Sequence, residues 1–586
     1  MHEKLWREEA HVSAHRAAQK QSGWRIVVIS IVASLWMVSS WRFLAGSKPN
    51  IGPAKPEVRR YPGEKIQWEP CGSIDDHELE CSEISVPMDQ FNATNSGDKT
   101  FEIPLIRLRG KNATENMVLN PGGPGGGGIG FVREFGKQLN VIVGENYHLL
   151  SFDPRGVNSS RPLAACYPDE ETKTKFHFYR DGDLVRDSPR RYAWSTNYAK
   201  ACAENMGEHG KYMNTPQTAA DMNSILDAIG QQDMVYWGFS YGSLLGQTYA
   251  GMYRERSKRV IIDGVVNQFE WYTEPILSMD YIDTYAVVEG FFDECFKAGD
   301  DCALAKLGTS AQHLKETVFH FMDQLADAPI AAYENASTYG LIDYNNLWID
   351  GFFRATYKPS NWPTFAQTVA NLMNGNTTDA LMSFTFSTFA KIQGDATDVV
   401  ALNDGASGAK FWPQGRREFL DKIMPYYKNS SIAASTNRMY SAKQQWLIPR
   451  THDYVPRRGV ETAHPLLILS TTYDPVCPLA AARTANDAFV GSKLAELKAY
   501  GHCSLAMPSL CVARHVRNYL RDGTLPEEGA TCEVDALYFG KRNMMGRAEK
   551  KVFEMDVEEE EDEEDDERVL QAQMEIGRGM EWLRSR

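Results

Sequence analysis

The 586-residue sequence predicts an α/β protein, a doubly wound and mostly parallel sheet with an inserted, mainly helical segment. Three observations predict it. Short, continuously apolar runs such as "RVIIDGVV" (259–266) have the character of strands buried on both faces. Helical patterns separate these runs. Between about Gln268 and Arg458 the character changes to Trp-, Tyr-, Phe- and Met-rich helical segments, after which strand character returns in "HPLLILSTTYDPVCP" (464–478).

Along the chain, "MVLN" (117–120) reads as a strand entering the loop "PGGPGGGGIG", and "YHLLSFD" (147–153) as a strand entering "PRGVNSSRP". "TPQTAADMNSILDAIGQQD" places Met222, Ile225, Leu226 and Ile229 on one helical face and closes at Gly230. "MVYW" (234–237) is a strand, Gly238-Phe239-Ser240-Tyr241-Gly242 a turn, and "SLLGQTYAGMY" a second helix with Leu244, Leu245, Thr248 and Met252 at helical spacing. Ligands in such sheets sit at the carboxyl ends of the strands, where these loops lie.

The body occupies residues 61–267, the helical insert 268–458, and the returning sheet 459–545. Ahead of it are a polar segment (1–25), an apolar stretch (26–45) around the uncharged run "IVVISIVASLWMVSSW", and a Pro-rich stalk (46–60). That order predicts a single-pass signal-anchor with the body luminal or extracellular; cleavage after Ser40, giving a secreted protein, is the alternative. All ten cysteines lie beyond the apolar stretch, as do six N-x-S/T sequons at Asn92, Asn112, Asn158, Asn335, Asn376 and Asn429. No C-x-x-C pattern suggests zinc. The formal net charge of −15 falls to −5 without the ten acids of "EEEEDEEDDE" (558–567), so residues 546–586 read as an acidic disordered tail. No basic stripe points to nucleic acid.

Gly-x-Ser-x-Gly between a strand and a helix is the setting of an exposed nucleophile, Ser240. Such a serine needs a base, an acid that orients the base, and amides for the oxyanion. Asp474 follows the strand "LLILSTTY", and His502 follows the last strand; Ser240, Asp474, His502 is a consistent triad order. The Gly-rich loop lacks a GK[ST] ending and G-x-G-x-x-G spacing, so we read it as an oxyanion loop with the backbone N–H of Gly123 paired to that of Tyr241. Contact between Asp474 and His502 would bring Cys477 near Cys503, making a bridge there conceivable. Nearest partners elsewhere are Cys71–Cys81, Cys166–Cys202, Cys295–Cys302 and Cys511–Cys532.

"GGPGGGG", "DPRGVNSS", "GFSYGS", "YDPVCPL", "GHCSL" and "YLRDGTLPEEGATC" (519–532) together resemble the α/β-hydrolase serine peptidases related to proline iminopeptidase, and among them the tripeptidyl aminopeptidase-like group. The resemblance spans roughly residues 61–535. It implies an α/β-hydrolase fold with the insert as a cap, and removal of residues or short peptides from free N-termini without metal or cofactor. It also implies an amine-binding acid in the cap, for which Glu270, Glu274 and Asp280 are candidates. Two departures stand out: the chain has Pro121-Gly122-Gly123-Pro124-Gly125 where proline iminopeptidases have HGGPG, and the insert aligns with nothing familiar. An esterase or lipase acting on small esters, or a non-catalytic binding scaffold, would be the rival uses of the same fold.

Overall fold

The computed structural model describes residues 57–176, 184–385, 395–429, 439–540 and 557–579. The expected cytosolic segment (1–25) and membrane anchor (26–45), and most of the stalk, lie outside them. Among the described residues no helix is long and apolar enough to cross a membrane.

Ten strands form one sheet in the order β1-β2-β3-β5-β4-β6-β7-β10-β11-β12. They are β1 (Glu69–Ile74), β2 (His77–Pro87), β3 (Thr100–Leu108), β4 (Glu115–Asn120), β5 (Tyr147–Phe152), β6 (Met234–Phe239), β7 (Ser257–Asp263), β10 (Leu467–Tyr473), β11 (Lys493–Tyr500) and β12 (Thr531–Cys532); β8 (Ile330–Asn335) and β9 (Thr338–Ile342) stand apart. Pairing from β5 through β12 is parallel, and β1, β2 and β3 form an antiparallel edge. Every residue of β5 and β6 is buried, as strands covered on both faces require.

Helices cover the two faces. On one, Phe131, Val132, Phe135, Leu139 and Ile142 of helix Gly128–Val143 pack with helix Leu510–Asp522. On the other, helices Thr215–Ala228, Tyr241–Met252 and Leu479–Ala488 do the same work. Asn214 caps the first of these through Gln217 N–H, Pro216 occupies its first turn, and Gly230 supplies the positive φ (68°) that ends it.

Residues 268–458 are mainly helical and carry their own aromatic cluster, including Phe291, Phe352, Trp362 and Phe365. They also contain the β8–β9 hairpin, which helical periodicity did not suggest.

The acidic tail is the clearest correction. Residues Val557–Gly579 form a helix seated against helix Gly128–Val143. Val569, Ala572, Gln573 and Ile576 recur at i, i+3, i+4 and i+7 and are buried. On the same helix Asp566 accepts from Arg514 at 2.6 Å and Asp565 pairs with Arg517. Gln573 donates to Ser509 O at 3.1 Å and accepts from Ser509 N at 3.0 Å.

Four disulfides form: Cys71–Cys81, Cys166–Cys202, Cys295–Cys302 and Cys511–Cys532. They mark a body that matures in an oxidising compartment.

Candidate active site

Ser240 sits between β6 and helix Tyr241–Met252 at φ 56°, ψ −124°, in the positive-φ region that non-glycine residues rarely adopt. The flanking glycines are required by close backbone approach. A Cβ on Gly238 would lie 2.3 Å from Gly242 O, and one on Gly242 would lie 2.6 Å from Asn120 O. The turn is held from behind, since Ser240 N–H donates to Asp263 O at 2.9 Å.

Asp474 follows β10 and is fully buried. Both its oxygens lie 2.9 Å from His502 Nδ1, and it also accepts from Val476 N (3.0 Å), Cys477 N (2.8 Å) and Cys503 N (3.0 Å). A carboxylate only accepts, so it selects the tautomer with the proton on Nδ1 and leaves Nε2 basic. The three backbone donors offset the cost of burying the charge. His502 is held from the cap as well: its N–H donates to Tyr357 O at 3.0 Å, and the Tyr357 ring meets the imidazole edge-on at 5.1 Å.

The structure thus joins Asp474 to His502 directly. The Ser240 hydroxyl lies in hydrogen-bonding reach of the Cys477 sulfur, and among the described residues it makes no hydrogen bond to His502. Hydrogen bonds of this kind often close only with substrate in place.

Cys477 and Cys503 are free and buried, so the expected bridge is absent. Both sulfurs lie against the Ser240 turn: Cys503 Sγ donates to Asp263 O at 3.7 Å, and Cys477 lies beside Ser240. Burial, with nearby carboxylates, pushes both thiols well above the usual range, so both stay protonated. Asp474, Cys477 and His502 bring three donor atoms within 4.8 Å of one another, a spacing that could ligate a metal. The existing carboxylate–imidazole bonds and the protonated thiol suit proton transfer better.

The Gly-rich loop enters from β4. Gly122 and Gly123 have φ of 98° and 113°, and a Cβ on Gly122 would lie 2.4 Å from Phe239 O and 3.1 Å from Tyr241 N. Only glycine lets the loop approach the nucleophile turn so closely. Gly122 N–H is taken by Asn120 Oδ1 at 3.0 Å, and Gly126 N–H by Gly122 O at 3.0 Å. The Gly123 and Tyr241 N–H groups have no acceptor among the described residues. The cap braces this loop, with Thr397 Oγ1 donating to Pro124 O at 2.6 Å.

The three cap acids differ sharply. Glu274 is exposed, and its backbone carbonyl accepts from Lys443 Nζ at 3.1 Å. Glu270 is committed to a turn, accepting from Ser278 Oγ (2.5 Å) and Met279 N (3.0 Å). Asp280 keeps part of its surface open, and its carboxyl receives no hydrogen bond among the described residues. Burial, then repulsion from Glu270, lifts it to about 8 against the pull of Lys443. Burial in turn lowers Lys443 to about 7. Neither Asp263 nor Tyr357 was singled out from the sequence; the one available signal was an aspartate inside the apolar run "RVIIDGVV".

The family model described as "alpha/beta hydrolase fold" matches residues 115–338, and that described as "TAP-like protein" matches 432–532. The tripeptidyl aminopeptidase of Streptomyces lividans is 26% identical over 490 residues, covering 80% of this chain and 87% of that protein. Serine protease Hip1 of Mycobacterium tuberculosis is 26% identical over 496 residues, covering 80% and 91%. Carboxylesterase B of Mycobacterium tuberculosis is 23% identical over 480 residues, covering 77% and 86%.

Proposed function

We propose, from its α/β-hydrolase fold and its similarity to the tripeptidyl aminopeptidase-like serine peptidases, that the chain releases residues or short peptides from free N-termini through an acyl-enzyme. The observation that carries the reading is the buried Asp474–His502 pair beside the Ser240 turn, with an unpartnered cap carboxyl, Asp280, in the same field of charge.

In this mechanism Ser240 Oγ attacks the scissile carbonyl and His502 Nε2 takes its proton. Asp474 keeps the imidazole in the required tautomer and stabilises the imidazolium. The Gly123 and Tyr241 amides hold the oxyanion as its charge develops. His502 then protonates the leaving amine, and water, deprotonated by the same imidazole, releases the acyl group. Asp280 receives the substrate's α-ammonium, which draws that carboxyl into its ionised form; Glu270 shapes the turn that presents it. The body works outside the cytosol, tethered through residues 26–45, a placement supported by the uncharged run, the sequons and the disulfides.

The test is a panel of mono-, di- and tripeptidyl coumarin amides, each with free and N-acetylated termini, beside p-nitrophenyl esters. Free-amine substrates should be cleaved and their acetylated counterparts spared. Turnover of esters alone would overturn the peptidase reading.

A further inference from the structure

Asp263 ends β7, level with Phe239 of β6 and Leu469 of β10, so it lies at the junction of the strands that deliver Ser240 and Asp474. It is fully buried. Its carboxylate accepts twice from one residue, from Ser504 N–H at 2.7 Å and Ser504 Oγ at 2.6 Å. Its backbone carbonyl accepts from Ser240 N–H at 2.9 Å and from the Cys503 thiol at 3.7 Å. One residue therefore grips the nucleophile turn through its main chain and the segment after His502 through its side chain.

A carboxylate at this depth is costly, and an apolar residue would fill the end of an apolar strand more cheaply. Burial lifts Asp263 to about 6, while the Ser504 hydrogen bonds and the nearby His502 pull it down and Asp474 raises it. At neutral pH it is ionised.

We propose that Asp263 is a positioning residue of this site, fixing the Ser240 turn and the His502 loop against each other through Ser504. The proposal rests on the assignment of Ser240 and His502 made above. It acts on the step that forms the imidazolium, because that step needs Nε2 and Oγ brought together at the right distance, whereas substrate binding in the cap does not. Small misplacements of reacting groups can cost about a hundredfold in rate.

The experiment measures kcat and KM on a free-amine peptidyl coumarin amide, together with the thermal midpoint, for Asp263→Asn, Ser504→Ala and the double variant, with Ser240→Ala alongside. Asp263→Asn should lower kcat by at least about tenfold while KM stays within about threefold. Ser504→Ala keeps the backbone donor and should lower kcat by about threefold or more. The double variant should lose little beyond Asp263→Asn alone, since both changes act through one contact. A folded Asp263→Asn enzyme with kcat within threefold of wild type, or losses that multiply in the double variant, would overturn the proposal. If Asp263→Asn yields no folded protein, Ser504→Ala decides, and an unchanged kcat there overturns it. Retained turnover in Ser240→Ala would instead bring down the triad assignment, a different failure with a different signature.

Discussion

The strand-end acids Asp474 and Asp263 and the cap acid Asp280 are held in opposite ways. Asp474 and Asp263 are hydrogen-bonded through both carboxylate oxygens. Asp474 accepts from His502 and three backbone amides, and Asp263 accepts twice from Ser504. In the cap, Asp280 is sunk among Tyr357, Tyr426 and Tyr440 without a donor among the described residues, and its carboxyl is lifted to about 8. Saturated groups hold a fixed geometry whether or not substrate is present, as bond-making steps require. An unsatisfied group gains most when a cation arrives, as recognition requires. On the proposed function, chemistry falls to the sheet and selection to the cap.

Four changes test that division. Ser240→Ala should abolish both peptide turnover and labelling by a fluorophosphonate; full labelling of the alanine variant would remove the sheet's nucleophile. His502→Ala and Asp474→Asn should each lower kcat by at least ~10³. A loss under tenfold in either would take that residue out of the catalytic set. Asp280→Asn should leave fluorophosphonate labelling near wild type and raise KM for free-amine peptides by about tenfold; equal loss on peptides and on the probe would place Asp280 in the chemistry and dissolve the division. The same variant has a stability signature. The folded-state value of Asp280 lies above its ordinary 3.8, so its contribution is fully present below about pH 4, falls progressively as pH rises, and is lost once pH passes about 8. Asparagine cannot ionise, and Asp280→Asn should therefore melt higher than wild type above pH 8 and show no such gain near pH 4. The smallest catalytic effect is expected far from the cleft. Gln573→Ala strands the buried N–H of Ser509, whose C=O keeps its bond from Ala513 N–H, and should cost about 1–2 kcal/mol of stability, read as a lower thermal midpoint, with kcat changed by less than about fivefold.

Much of the sheet side was legible because its signals are local. Ser240 and Asp474 each follow an apolar run and His502 a strand, and the glycines around Ser240 sit where the backbone has no room for a side chain. The cap side was less legible. Tyr357 meets His502 across 145 residues of chain, and no spacing encodes that contact. Among Glu270, Glu274 and Asp280, only hydrogen-bond partners separate the committed acid from the open one. The Cys477–Cys503 expectation failed for a related reason. Chain position brings both residues to the site, but the directions of the sulfurs depend on backbone angles such as the φ of 66° at Cys503. The helix at 557–579 was hidden by its own charge: the acidic run dominates the composition, while the stripe Val569, Ala572, Gln573 and Ile576 lies wholly beyond it.

That helix also bears on when the enzyme becomes whole. Gln573 reaches back 64 residues to Ser509, and Gly577 lies where a Cβ would come within 3.2 Å of Ala506 O, in the short turn that follows the histidine. It comes after all twelve strands in the chain. A ribosome therefore delivers Ser240, Asp474 and His502 well before it delivers the helix that packs against the segment after His502.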